Sequence, residues 1–288
     1  FNYKIVIYTF LMTYVFDLHQ GRVHTRTPGF TVAKANAIYA TLGTPMLKFK
    51  KPFKVDAVLW DFDGTLANSA AKNIAITRQI LARVAPRLTG DTLPRHLRSE
   101  ADYHVANHAA ENWRELYRDF FRMTADEIES AGPLWEHYQM RDKTRVSLFD
   151  GVEETVRQLS CFPQGICSAN ATDNIKQILR EFKITSAFDS IIGYEDLPHH
   201  HQKPAPDGGL KCLQQIFGDT QGKTIIYVGD HIADVLFSRA LGEQLGSSNT
   251  VISVIITHSG ATPGQWRVQP DEVIENPSDL TTLIKDRA

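Results

Sequence analysis

The chain has little cysteine, no long apolar run and almost no net charge, and each shortage removes a class of protein. Three cysteines, Cys161, Cys167 and Cys212, stand in 288 residues. They form no Cys-x-x-Cys pair and no zinc-ligand spacing, so reduced thiols in a cytoplasmic protein are expected rather than a metal site or a disulfide framework. A net charge of −2 offers no argument for nucleic acid. The apolar stretch Ile5–Phe16 falls short of the roughly 18–20 residues that a membrane-spanning helix needs. A signal peptide stays open on this run, although no clean small-residue cleavage site follows it. No internal repeat or low-complexity tract is present. What is there, 42% apolar and 22% charged residues, suits one generous globular domain or a domain with an insert.

The first segment differs from the rest. Residues 1–55 carry eight Lys/Arg against the single acid Asp17, a balance of +7 that leaves −9 for the remainder. Two strands joined near Gln20-Gly21 and a short helix around Thr31–Leu42 are expected there. Met46, just before Leu-Lys-Phe-Lys-Lys-Pro, is a candidate start that would make the first 45 residues an upstream extension. Residues 1–50 are therefore set apart, with no function assigned.

From Val55 onward apolar strands alternate with helical stretches. Strands are expected at Val55–Trp60, Gln164–Cys167, Ser190–Ile192, Thr224–Val228, Val251–Ile256 and Glu272–Ile274. Helices fit Ala171–Phe182, Asp207–Phe217, Ile232–Leu241 and Pro277–Lys285. That alternation implies βαβ units and a parallel sheet covered on both faces, with active groups beyond the carboxyl ends of its strands. Residues 68–147 break the pattern. They read as helices near Ala70–Val84, Ala101–Arg122 and Ala125–Met140, punctuated by Pro86, Pro94, Pro133, Gly90 and Gly132. An all-helical insert after the first core strand is expected.

Four groups of polar residues fall at strand ends or in the loops after them. Asp61 and Asp63, in Asp61-Phe62-Asp63-Gly64-Thr65, are two apart on an extended chain and so face one side. Crowded carboxylates repel, and an oxygen-loving divalent cation, Mg²⁺ above all, relieves them. Gly64 permits a sharp turn, and Thr65 is placed to start a helix whose free N–H groups suit a phosphate. Ser168 follows the second strand in Cys167-Ser168-Ala169-Asn170. Lys203 lies in Gln202-Lys203-Pro204-Ala205-Pro206-Asp207, where prolines stiffen the loop. Asp230 ends a strand in Gly229-Asp230-His231-Ile232-Ala233-Asp234, and Asp234 follows one helical turn later on the same face.

This ordered set resembles the haloacid dehalogenase superfamily, within its phosphoglycolate-phosphatase-like group. The resemblance covers roughly Val55 to the C-terminus. It implies a Rossmann-like parallel sheet core (residues 51–67 and 148–288) with helices on both faces, and a helical cap domain at 68–147. It further implies that Asp61 is the nucleophile forming an aspartyl-phosphate, and that Asp63 protonates the leaving alcohol and then activates water. Ser168, Ala169, Lys203 and Gly64 would bind the phosphate. Mg²⁺ would be held by Asp61, the Asp63 main-chain oxygen and Asp230, with Asp234 and Thr65 in support. Two positions depart from the common pattern: Ala169 stands where many relatives have Asn, and His231 where Ser or Thr is common. The expected partner is a small phosphorylated metabolite, without nucleic acid or membrane, on a monomer or homodimer.

The same residues bear on other activities. Asp63 argues against a dehalogenase, whose counterpart is not a carboxylate. Lys72 and Lys143, the insert's only lysines, sit at its edges and weaken a phosphonate hydrolase. A phosphosugar mutase keeps both aspartates and a similar cap, and a non-catalytic binding module would not need the full set. His199-His200-His201 is expected to be a solvated loop, since consecutive histidines cannot all face one ion. Arg114, Arg118 and Arg122, at helical spacing, are expected on a solvated cap face, and Trp113 and Trp135 in the cap core.

Overall fold

In this computed structural model the described residues are 54–198 and 201–285, together with three strands near the N-terminus. Strands β1 (Lys4–Thr9), β2 (Met12–Asp17) and β3 (Arg22–Thr25) form an antiparallel sheet, Lys4 opposite Asp17 and Asp17 opposite Arg22. Three strands form where two were expected, and the expected junction near Gln20-Gly21 falls between β2 and β3. The expected helix at Thr31–Leu42 lies outside the described residues. This sheet belongs to a separate unit, residues 1–52.

The second unit is built on six parallel strands. They are β4 (Ala57–Trp60), β7 (Gln164–Cys167), β8 (Ser190–Ile192), β9 (Thr224–Gly229), β10 (Thr250–Ile256) and β11 (Glu272–Ile274). Their order is β11-β10-β9-β4-β7-β8, with β4 at the centre between β7 and β9. The alternation of side chains along a strand sorts these residues between two cores. Val58, Trp60, Ile226 and Val228 join one cluster with Val156, Ile175, Leu179 and Leu280. Leu59, Ile225 and Tyr227 join the other, with Leu213, Phe237 and Leu241. Each fully buried aliphatic side chain contributes about 1.5–3 kcal/mol, which explains why the central strands read as unbroken apolar runs.

The insert begins and ends at a two-residue antiparallel pair absent from the sequence reading, β5 (Ala67–Asn68) against β6 (Ser147–Leu148). Too short for any periodic signal, it ties the neck of the cap. Helix α1 (Ala70–Val84) follows, then three 3₁₀ turns between 86 and 97, α2 (Glu100–Ala109) and α3 (Ala125–Gln139). The cap has its own core, including Ile76, Ile80, Leu81, Leu97, Ala106 and Phe121.

Two expectations for the cap are corrected. A single helix over 101–122 does not form: α2 stops at Ala109, Asn112 caps a new turn by accepting from the backbone N–H groups of Arg114 and Glu115, and Leu116–Phe120 is a π-helix. The helical spacing of the three arginines is therefore lost, although all three are exposed; Arg114 pairs with Glu129 and Arg118 with Asp119. Trp113 is 40% exposed, with the Arg114 guanidinium 4.5 Å above its ring, while Trp135 packs on the cap core. The helix expected near 125–140 does form, as α3, with Gly132 and Pro133 inside it. The Thr124–Glu127 capping box starts it and packing of Ile128 and Ala131 holds it.

The core helices are α4 (Val152–Gln158), which the sequence reading missed, α5 (Thr172–Glu181), α6 (Asp207–Phe217), α7 (Ile232–Leu245) and α8 (Pro277–Lys285). Among the described residues no helix is long and apolar enough to cross a membrane.

Candidate active site

The carboxyl ends of β4, β7 and β9 deliver Asp61, Ser168 and Asp230 to one edge of the sheet. The loop between β8 and α6 adds Lys203, and the first turn of α7 adds Asp234. Asp61, Asp230 and Asp234 are all buried, and each offers a carboxylate oxygen within 4.8 Å of the others. Lys203 Nζ lies among them, donating to Asp61 Oδ1 at 2.5 Å, Asp234 Oδ1 at 2.7 Å and the Tyr227 hydroxyl at 2.7 Å. Asp234 is thereby occupied on both oxygens, since its Oδ2 accepts from the backbone N–H groups of Asp230 and His231. It holds Lys203 and the start of α7 in register.

The turn after β4 is set by Gly64, at φ +83°. A Cβ there would come within 2.2 Å of Asp230 Oδ2, so only glycine lets the turn approach this carboxylate. Two expectations change here. Thr65 does not start a helix; the chain turns, pairs as β5 and enters α1 only at Ala70, and the Thr65 hydroxyl instead meets Asp230 Oδ1 at 3.4 Å. The Gly64 N–H is donated to Ala67 O at 2.9 Å, so it is already engaged and the contribution of Gly64 is steric. Ser168 is buried, its hydroxyl accepting from Asn170 N–H at 3.2 Å, while Ala169 is exposed. The side chain of Asp63 lies outside the carboxylate trio, its Oδ2 accepting from Asn170 Nδ2 at 2.8 Å.

Burial, opposed by Lys203 and aided by Asp234 and Asp63, pushes the Asp61 carboxyl up to about 7. Asp230 is raised by burial, then by Asp234 and Asp61. Asp63 is raised by burial against the hydrogen bonds of Ser69 and Asn170. For Lys203, burial would lower the ammonium, but Asp234 and Asp61 outweigh it and raise it. One lysine does not neutralise this many acids. The surplus negative charge on hard oxygen donors fits a divalent cation such as Mg²⁺.

Several residues at the site carried no readable signal. Ser259, after β10, donates to Asp230 Oδ2 at 2.8 Å. His108 reaches down from α2 in the cap, with Nε2 3.1 Å from Ser259 Oγ and 3.7 Å from Asp230 Oδ2. Burial pulls its imidazole down to about 4, so it is neutral. His231 accepts from Ala233 N–H through Nδ1, which leaves Nε2–H to donate to Asn107 O at 3.0 Å and Ala110 O at 2.8 Å. It thus caps α7 and fastens the cap to the core. The contacts of His108 with Ser259 and Asp230, and of His231 with Asn107 and Ala110, join segments more than 100 residues apart, so no local pattern announces them. His201 pairs with Asp207 at 2.5 Å; His199 and His200 lie outside the described residues.

The chain belongs to the haloacid dehalogenase-like hydrolase family, whose model matches residues 58–245. It is 30% identical to a phosphoglycolate phosphatase of Cereibacter sphaeroides over 118 residues, 40% of this chain and 51% of that protein. It is 22% identical to the pyrophosphatase PpaX of Listeria monocytogenes over 237 residues, 81% of this chain and 98% of that one. The chain thus spans about half the length of the phosphoglycolate phosphatase it matches. Among solved structures, a haloacid dehalogenase-like hydrolase from Streptococcus pneumoniae aligns with a TM-score of 0.60 at 19% identity, over 80% of this chain and 98% of that one. A superfamily hydrolase from Geobacter sulfurreducens aligns at 0.53 and 22%, over 80% and 96%. These likenesses agree on the fold: a six-stranded parallel core with a helical cap inserted after its first strand.

Proposed function

We propose that this chain is a Mg²⁺-dependent phosphatase that hydrolyses a small phosphomonoester, as in the phosphoglycolate-phosphatase-like group, through an aspartyl-phosphate on Asp61. The observation that carries this reading is the gathering of Asp61, Asp230 and Asp234 at the carboxyl edge of a parallel sheet, with Lys203 bonded to Asp61 and Asp234. Asp61 attacks phosphorus and the bond to the leaving oxygen breaks, while Asp63 gives that oxygen its proton. Water then displaces Asp61 from phosphorus, with Asp63 taking the proton back. Lys203 and Ser168 hold the oxygens of the transferring group and offset its charge. Asp61, Asp230 and the main-chain oxygen of Asp63 would hold Mg²⁺, which when bound lowers the repulsion between carboxylate and phosphate. The relatives named for phosphoglycolate and for pyrophosphate both support a small phosphorylated substrate.

Release of phosphate from an aryl phosphate, with and without Mg²⁺, tests the reading. Turnover is expected only with the metal, and Asp61→Asn should abolish it. Turnover by Asp61→Asn at the parent rate would overturn the assignment of the nucleophile. A panel of phosphorylated metabolites, phosphoglycolate among them, then ranks substrates by kcat/KM.

A further inference from the structure

A buried line of side chains runs from the cap to Asp63. Lys72, in the first turn of α1, donates from Nζ to Asn174 Oδ1 at 3.1 Å. Asn174 Nδ2 donates to Asn170 Oδ1 at 2.8 Å, and Asn170 Nδ2 donates to Asp63 Oδ2 at 2.8 Å. Both asparagines are 3% exposed and Lys72 is 9% exposed. The direction of the line follows from chemistry. An ammonium can only donate, so Asn174 must turn its oxygen to Lys72 and its amide nitrogen onward. Asn170 must then accept on its oxygen, which leaves its nitrogen for the carboxylate. Lys72 therefore sets which way both amides face. Asp63 Oδ2 is pinned at the end of the line, with the Ser69 hydroxyl also beside this carboxyl, and Oδ1 is buried without a hydrogen bond of good geometry among the described residues.

Burial lowers the pKa of the Lys72 ammonium and outweighs the attraction of the Asp142, Asp63 and Glu181 carboxylates, so this charge is a poor way to stabilise the protein. A methionine of similar length would pack there at less cost. We propose that Lys72 is a positioning residue that acts through Asn174 and Asn170 to present Asp63 Oδ1 to the leaving group. The inference rests on the phosphatase reading above. Oδ1 is then the oxygen whose proton passes to the leaving oxygen as its bond to phosphorus breaks, and which takes a proton from water in the second half. Since α1 is part of the cap, the orientation of the acid depends on the cap being docked.

The test compares phenyl phosphate, whose leaving group needs a proton, with 2,4-dinitrophenyl phosphate, whose leaving group does not. Both are measured with Mg²⁺ for the parent, Lys72→Met and Lys72→Gln. The readout is kcat/KM, which reports the step that releases the phenol. General acid catalysis is worth about 10²–10⁴-fold, and loss of its orientation should forfeit roughly 10–100-fold of that. Lys72→Met should therefore lose that factor on phenyl phosphate, less than about 2-fold on the dinitrophenyl ester, and no thermal stability. Lys72→Gln, which keeps an N–H donor, should recover part of the phenyl phosphate rate. Equal losses on the two esters, or none, would overturn the role of Lys72. A parent that hydrolyses only the dinitrophenyl ester would remove the acid role of Asp63, and Lys72's with it. A parent that hydrolyses neither would overturn the phosphatase reading itself.

Discussion

Asp61→Asn should stabilise the metal-free protein while destroying its proposed activity. The folded Asp61 carboxyl sits at about 7 against an ordinary value of 3.8, because burial and its acidic neighbours outweigh Lys203. Between those two values the folded chain keeps a proton that the unfolded chain has released. The contribution of this carboxyl to stability is therefore full below about 3.8 and is lost as pH rises through about 7. Three pKa units correspond to an upper bound of about 4 kcal/mol at pH 8. Asparagine resembles the protonated acid, keeps an oxygen for Lys203 and removes the charge. For a chain of this size 1 kcal/mol moves Tm by roughly 2–4 °C, so even half the bound should raise Tm by several degrees. Thermal unfolding in EDTA at pH 5 and pH 8 is the assay. The variant should melt above the parent at pH 8, with a gap that narrows toward pH 5. A variant that melts below the parent at pH 8, or a gap independent of pH, would refute the account of crowded carboxylates.

Other perturbations probe the same site. Lys203→Met leaves Asp61 and Asp234 buried without their cation, and loss of one partner of a buried pair costs about 3–5 kcal/mol; chemical denaturation that shows no loss would contradict the pairing. Gly64→Ala places a Cβ 2.2 Å from Asp230 Oδ2 at a positive φ, so a calorimetric titration should show Mg²⁺ affinity sharply reduced, and unchanged affinity would count against Asp230 as a ligand. His231→Ser keeps a capping side chain for α7 but gives up the bonds to Asn107 O and Ala110 O. The single Nε2–H shared by the two carbonyls is worth about 1 kcal/mol, so amide exchange across 107–112 should quicken roughly 5-fold, and no change would mean the ring does not fasten the cap.

Much of the core was legible in the chain because its signals are local. Six apolar runs with turn residues between them marked the six strands of the parallel sheet, and their order along the chain required crossovers that a parallel sheet supplies. Asp61, Ser168, Lys203 and Asp230 could be singled out because each follows a strand or lies in a proline-stiffened loop. The cap was read less well. Its helix at 101–122 breaks at Asn112, where a side-chain cap competes with continuation, whereas Pro133 is carried inside a helix that tertiary packing sustains.

The sequence by itself determined which residues carry reactive groups and where along each strand they stand, since a period of two and a glycine turn are properties of neighbouring residues. Only the tertiary structure decided how those groups meet. Asp234 holding Lys203, Ser259 and His108 converging on Asp230, and Lys72 reaching Asp63 through two asparagines are contacts between distant segments. Their partners are chosen by the packing of sheet, loops and cap, and no pattern of adjacent residues encodes that choice.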